Sequence, residues 1–316
     1  MSFFTSPDVS LSSKLLECVF IIIGLISIYA GVKNLRDKGN PHPIGTATFW
    51  IPLGVTIAFG RWIPNTINGA LVFIMCGAAI FKKVKPSSAV GPTKAETKAN
   101  FDKIGMKIFI PALSMGLLAL LFGLFTKISA LVGTTLGVFI AIALLMIWNK
   151  KNSPKVFLDD AERFLSIVGP LSMLPSLLAV LGTVFTNAGV GEVISNIVSS
   201  IVPAGNVNVG IIVYAIGMML FTMIMGNAFA AITVMTVGIG APLVLAYGAN
   251  PALIGMVALT SGYCGTLLTP MAANFNIVPV AILEMKDKFG VIKCQIIPAF
   301  IMIVFQIIYM IMFKFA

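Results

Sequence analysis

The residues in this chain with the most capacity for chemistry are uncharged. Two segments set polar and helix-breaking residues inside strongly apolar sequence: MGNAFAAITVMTVGIGAP, from Met225 to Pro242, and SGYCGTLLTPMAANFNIVP, from Ser261 to Pro279. The first carries Gly226 and Asn227. The second carries Ser261, Gly265, Thr266, Thr269, Pro270, Asn274 and Asn276. Gly weakens a helix, and Pro removes a backbone donor and collides with the preceding turn. Two such interruptions about 40 residues apart predict discontinuous helices of the kind that line transport paths. In lipid a broken helix is tolerated only where it borders a cavity or packs within protein. The start of a half-helix there offers N–H groups and a positive dipole end to an anion, while freed carbonyls and side-chain amides suit a cation. Gly226, Asn227, Ser261, Gly265, Thr266, Thr269, Pro270, Asn274 and Asn276 are thus the expected substrate- or ion-binding residues. The competing reading is close helix packing by Gly and Ala, with Ser and Thr bonded back to their own helix.

Other chemistries have few residues to work with. The one His, His42, sits between Pro41 and Pro43 and reads as a turn residue. Cys18, Cys76, Cys264 and Cys294 lie far apart, form no zinc spacing and no disulfide framework, and read as buried small hydrophobes. Met223, Met225 and Met235 read as packing residues, with no copper pattern. Glu17 falls one turn inside an apolar run and can snorkel. Glu192 lies in the short apolar segment 189–203, and Glu284 precedes Lys286 at the edge of a span. An acid, base, nucleophile or metal cluster at one membrane depth, which an integral membrane enzyme needs, is not evident, so no enzymatic activity, metal or cofactor is expected. A coupling ion, Na+ or H+, is left open.

The elements that must position these residues are membrane helices. Of 316 residues, 58% are hydrophobic and 10% charged, and mean hydropathy is +1.02. Soluble domains carry roughly 25% charged residues. Long apolar runs without alternation select helices over a barrel. The expected fold class is all-α, a polytopic transmembrane helical bundle of about nine or ten spans, with broken and re-entrant helices in the C-terminal half. The net charge of +10 reads as topology rather than as a nucleic-acid signal. Most Lys and Arg cluster in four interhelical segments: Lys33 to Lys38, Lys82 to Lys107, Lys150 to Arg163 and Lys286 to Lys293. Positive-inside reasoning puts these in the cytoplasm and both termini outside. No cleavable leader is expected before the first span.

Along the chain, spans are expected at 15–32, 46–60, 65–81, 108–125 and 128–148, with a tight turn at Arg61 to Pro64 and a polar loop from Val84 to Met106. An amphipathic helix starts at 156–164, followed by spans at 165–185 and 208–225. Residues 189–203 are too short for a full span and suit a re-entrant hairpin or an interfacial helix. The stretch 226–284 is broken repeatedly, and 293–313 is the last span. This divides the chain into a five-span region, 1–155, and a second region, 156–316, holding the hairpin (189–203) and the broken helices (226–284).

The stretches GNAFAAITVMTVGIGAPL and SGYCGTLLTPMAANFNIVPVAILEMKDKFGVIK resemble the signature segments of a bacterial permease family, the domain of unknown function nine-seven-nine, over essentially the whole chain. More distantly, the second half resembles one repeat of the ion-transporter superfamily of gluconate, citrate and dicarboxylate carriers, with Gly189 to Pro203 as its hairpin and Gly226-Asn227 as its break. The first resemblance implies a permease of the bacterial cytoplasmic membrane. It is commonly encoded beside a second small membrane protein, the domain of unknown function nine-six-nine type, so each chain would supply one repeat of a split transporter. A homodimer is the other possible assembly. Gene neighbourhood in the family implies 5-oxoproline or a related small carboxylate as cargo. The expected partners are therefore the lipid bilayer, a small organic anion and a second membrane subunit, with no nucleic acid. The alternatives are a channel component or a non-transporting scaffold, which would tolerate Asn227→Leu.

Overall fold

The computed structural model describes residues 2–89, 91–201, 205–283 and 285–315. Among these residues every regular element is helical, which bears out the all-α expectation. Six helices among the described residues are long and apolar enough to cross a membrane, Leu11–Arg36, Ala95–Phe125, Ala130–Trp148, Val207–Met225, Ala228–Tyr247 and Gly290–Phe313, and shorter apolar helices accompany them. The chain folds as two compact units, Met1–Gly169 and Pro170–Ala316.

The first unit begins with a single turn, α1 (Ser2–Thr5), and a long helix, α2 (Leu11–Arg36). Ser10 caps α2 by accepting the Ser13 N–H at 3.1 Å, and Lys33 and Arg36 occupy its last turn, where the dipole favours cations. Pro43 starts α3 (Pro43–Phe59), a position that needs no N–H. A Cβ on Gly24 would lie 2.5 Å from the Gly54 carbonyl oxygen, and one on Gly54 equally close to that of Gly24. α2 and α3 therefore pack backbone to backbone, the contact that small residues permit in lipid. The Arg61 to Pro64 turn leads into α4 (Asn65–Ile80).

The polar loop expected over 84–106 is in part a helix, α5 (Lys94–Ile104). Its reason is a reciprocal cap: Glu96 accepts the Thr93 N–H at 2.8 Å, and Thr93 accepts that of Glu96 at 3.3 Å. A 3-10 turn, Gly105–Ile108, then joins it to α6 (Phe109–Phe125), which pairs with α7 (Ala130–Trp148). Leu113, Leu117, Leu120 and Leu124 make an exposed stripe on α6, a face suited to acyl chains. α8 (Pro154–Val168), the expected amphipathic helix, packs on α2 and closes this unit.

The expected span at 165–185 is interrupted. Gly169 holds φ +53 between α8 and Pro170, a backbone region that side chains disfavour, and Pro170 cannot continue the helical bonding. A 3-10 turn, Gly169–Met173, thus carries the chain into the second unit, where two short helices follow, α9 (Leu174–Asn187) and α10 (Val190–Ile201). The short-helix pair begins before residue 189, where the hairpin was expected. Residues 202–204, including Pro203, lie outside the described residues, as does Glu284.

Next come α11 (Val207–Met225), α12 (Ala228–Met235), a π-helical turn at Thr236–Gly240, α13 (Ala241–Leu243), α14 (Pro251–Leu267), α15 (Ala273–Ile282) and α16 (Gly290–Phe313). α11, α14 and α16 enclose the core, which includes Tyr214, Met218, Ala258, Cys264 and Ile303. Cys264 is the buried cysteine. Cys18 and Cys294 are exposed on apolar helices, so reading all four as buried is corrected: their helices turn these faces outward, where lipid rather than protein would cover them.

Candidate functional site at two helix breaks

Each interruption in the second unit has a local cause. α11 ends because Gly226 adopts a left-handed conformation, φ +69, and returns its N–H to the Thr222 carbonyl at 2.7 Å. The chain restarts at Asn227, whose Oδ1 accepts the N–H groups of Phe229 and Ala230 at 2.9 and 3.4 Å. This is a side-chain cap on the first turn of α12. α14 ends ahead of Pro270, and α15 begins at Ala273 with no side-chain cap.

The two breaks meet. Thr269 Oγ1 donates to the Met223 carbonyl at 2.8 Å and accepts the Met271 N–H at 3.2 Å. A Cβ on Gly226 would come within 2.6 Å of the Met271 carbonyl oxygen, so only Gly fits both the fold of its own backbone and the approach of the other break. Asn276, fully buried, donates from Nδ2 to the carbonyls of Thr266 and Thr269, both at 2.7 Å. One amide thus ties the start of α15 to the end of α14. Upstream, Gly265 brings α14 against the Met219 carbonyl of α11, and a Cβ on Gly262 would sit 3.0 Å from both Ala228 Cβ and Thr222 Oγ1.

Beside this crossing lies a cleft of about 200 Å³ lined by Gly226, Asn227, Ala228, Phe229, Tyr263, Thr266, Asn274 and Phe275. Its walls include the starts of both α12 and α15 and contain no cationic side chain. The sequence-predicted residues therefore separate by place. Gly226, Asn227, Thr266 and Asn274 line the cleft. Thr269 and Asn276 lie in the crossing, where Gly265 sets the helix spacing. Pro270 is exposed. Ser261 is buried and donates to its own helix at the Val257 carbonyl, 2.9 Å away.

The sequence model of a family described as a protein of unknown function (DUF979) matches residues 17–315. The chain belongs to this family. Comparison of this DUF979 member with curated proteins and with solved structures finds no match. The likeness to the ion-transporter superfamily gains no support from them.

Two features of this DUF979 chain escape a reading of the sequence. Thr222 is fully buried, and its Oγ1 has no hydrogen-bond partner. Ser261 and Gly265, four apart, were the available signal, since small residues at that spacing mark a close helix approach that buries whatever faces them. In the first unit, Glu162 is fully buried on the helix expected to be amphipathic. Its Oε1 accepts from Asn34 Nδ2 at 2.7 Å and from Ser166 Oγ at 2.8 Å, and Lys33 Nζ stands 3.3 Å from Oε2. Lys33 Nζ also meets Asp159 at 2.7 Å, and Tyr29 donates to the same carboxylate at 3.0 Å. These donors hold the Asp159 carboxyl below the ordinary carboxylate range, Lys33 contributing most and Tyr29 next. At the other end of α2, Glu17 is 5% exposed and pairs with Arg61 Nε at 2.8 Å. The expected snorkelling to water is corrected: Glu17 meets a cation from the turn between α3 and α4 instead.

Proposed function

We propose that this chain is a secondary transporter of the bacterial cytoplasmic membrane, or one half of a two-subunit permease. It moves a small organic anion, 5-oxoproline or another carboxylate, by alternating access coupled to Na+ or H+. The observation that carries this reading is the cleft where the starts of α12 and α15 meet beside Asn227 and Asn274. A helix start presents N–H groups lacking an in-helix acceptor and about half a positive charge. The start of α15 has no side-chain cap, and that of α12, whose Phe229 and Ala230 N–H groups are taken by Asn227 Oδ1, adds its dipole; together they favour a carboxylate without any Lys or Arg, and the Nδ2 groups of Asn227 and Asn274 add donors. Interrupted helices also supply the hinges that rocking between two access states needs. The four basic segments set the cytoplasmic side, which leaves both termini outside. A companion small membrane protein of the domain of unknown function nine-six-nine type, or a second copy of this chain, completes the unit.

The test is uptake of a labelled carboxylate panel, 5-oxoproline included, into proteoliposomes holding the full chain alone or with its companion. Uptake is expected in at least one arrangement. Asn227→Leu and Asn274→Leu should abolish it while the protein still inserts. Wild-type rates in both variants, or no carboxylate uptake in either arrangement, would overturn the reading and favour a non-transporting scaffold.

A further inference from the structure

The first unit holds a cleft of its own, about 590 Å³, between the end of α2, the start of α8 and the Ser87-Ser88 loop. Its wall carries three cations and three carboxylates, and they do not pair off evenly. The inner group is Lys33, Asp159 and Glu162. The Lys33 ammonium stands 2.7 Å from Asp159 Oδ1 and 3.3 Å from Glu162 Oε2, so two carboxylates share one cation and one negative charge is left over. Glu162 is fully buried, where water cannot screen that excess. Lys33 and Tyr29 both bond Asp159 through Oδ1, and Oδ2 accepts neither bond. The outer group is Arg36 and Lys155. Both are exposed, and among the described residues neither is ion-paired. The remaining acid, Asp37, is occupied by the Ser88 hydroxyl at 2.6 Å and the Ser88 N–H at 2.7 Å. Lys155 stands in the first turn of α8, which contains no acid. That is the positive end of the dipole, where an anion is favoured and a Lys is not.

We infer that this cleft binds the headgroup of a phospholipid bearing a primary ammonium, the phosphatidylethanolamine class. The ammonium meets Asp159, and the phosphate lies between Arg36 and Lys155 with the Ser87 hydroxyl as a further donor. The order of charges selects the class. In such a lipid the phosphate is next to the glycerol and the ammonium is at the far end, so the ammonium reaches the inner carboxylates while the phosphate stays with the exposed cations. A headgroup with a negative charge alone leaves the inner excess unmatched. A choline headgroup carries the same two charges, but its quaternary nitrogen has no N–H to donate to Oδ2. Depth fits a lipid rather than a soluble ligand. α2 has 26 residues, which makes it about 39 Å long against a hydrocarbon core of about 30 Å. Its last turn, with Arg36, therefore lies among headgroups, the depth at which basic pockets between helices take up lipid phosphates. A lipid held on both α2 and α8 would clamp the amphipathic helix to the first span. None of this rests on the transporter reading.

The experiment is native mass spectrometry of the purified full chain in detergent, titrated with phosphatidylethanolamine, phosphatidylcholine or phosphatidylglycerol of the same acyl chains. One molecule of phosphatidylethanolamine is expected to bind at least about tenfold more tightly than either of the others. A cation at the membrane surface is worth about fivefold in affinity, so the double variant Arg36→Gln with Lys155→Gln should weaken binding at least about tenfold. Both side chains are exposed, and circular dichroism should be unchanged. Asp159→Asn should erase the preference for ethanolamine over choline. Lys98→Gln with Lys103→Gln, on α5 and outside the cleft, is the charge-matched control and should change nothing. Equal binding of the three lipids, a preference for phosphatidylglycerol, or an equal loss in the α5 control would overturn the site. Soluble phosphoethanolamine binding as tightly as the lipid would overturn the lipid assignment and make the cleft a site for a free metabolite.

Discussion

Thr269 donates its hydroxyl to the carbonyl of Met223 at 2.8 Å, and through that bond the end of one interrupted helix holds the end of another. The two residues are 46 positions apart. Neither break would have a fixed place without its counterpart, because each leaves backbone groups that lipid cannot satisfy.

Thr269→Val removes this bond and the acceptor for the Met271 N–H while keeping the shape of the side chain. Interhelical hydrogen bonds in membranes are worth about 0.6–1.7 kcal/mol, and a loss in that range is expected in reversible unfolding from mixed micelles. Carboxylate uptake should fall further than stability, since the spacing of the cleft depends on the same tie. Thr269→Ser should keep both. Equal losses in Ser and Val would show that the methyl group, not the hydroxyl, matters.

Gly226→Ala meets two obstacles at once. Its φ of +69 costs an L-residue about 1–2 kcal/mol, and the new Cβ would stand 2.6 Å from the Met271 carbonyl oxygen, a backbone atom with little freedom to yield. Destabilisation should exceed the conformational cost alone. Gly255, which has open space around it, is the control: Gly255→Ala should leave the melting temperature unchanged or raise it slightly, as Ala is the better helix former.

The ends of the apolar helices are legible in the sequence because Lys, Pro and Gly punctuate them, and both breaks are legible because Gly226-Asn227 and Thr269-Pro270 are local signals. The Thr93 and Glu96 cap of α5 was equally local, but its polar surroundings read as loop. What the sequence hides is pairing at a distance. Glu162 looks like one more charge on a solvated face until Asn34, 128 positions away, is found against it. Thr222 looks like any helical Thr until Gly262 removes the room around it. The joining of the two breaks is likewise a property of how α11 and α14 cross, which no single segment encodes.

Arg61 tests the treatment of charge at the other end of α2. Its side chain is 48% exposed, while that of Glu17 is 6% exposed. Arg61→Leu strands a buried carboxylate and should destabilise the chain by roughly 1–3 kcal/mol. The double variant Arg61→Leu with Glu17→Leu should recover most of the loss, because a buried pair replaced by apolar residues is often neutral. A double-mutant cycle in micelles reads the coupling. Additive losses would mean that Glu17 is solvated.

Acid should loosen α8 from α2, and the sign follows from Asp159. Its folded-state pKa is lowered, chiefly by the hydrogen bond from Lys33 and then by that from Tyr29. Its contribution is therefore fully present above the unfolded value of about 3.9 and disappears as pH falls through the lower folded value. Hydrogen-exchange protection of Pro154–Val168, corrected for intrinsic rates, should hold at neutral pH and drop in that acidic window. Asp37 works in the same direction, since the Ser88 hydroxyl and then the Ser88 N–H lower its pKa too, so the pH profile alone does not assign the effect. Asp159→Asn does. It should lower protection of α8 at neutral pH and flatten its acid dependence, because the remaining amide accepts from Lys33 without titrating. If Asp159→Asn keeps the full acid transition, Asp37 carries it, and the Lys33 contact to Asp159 is a surface pair of little consequence.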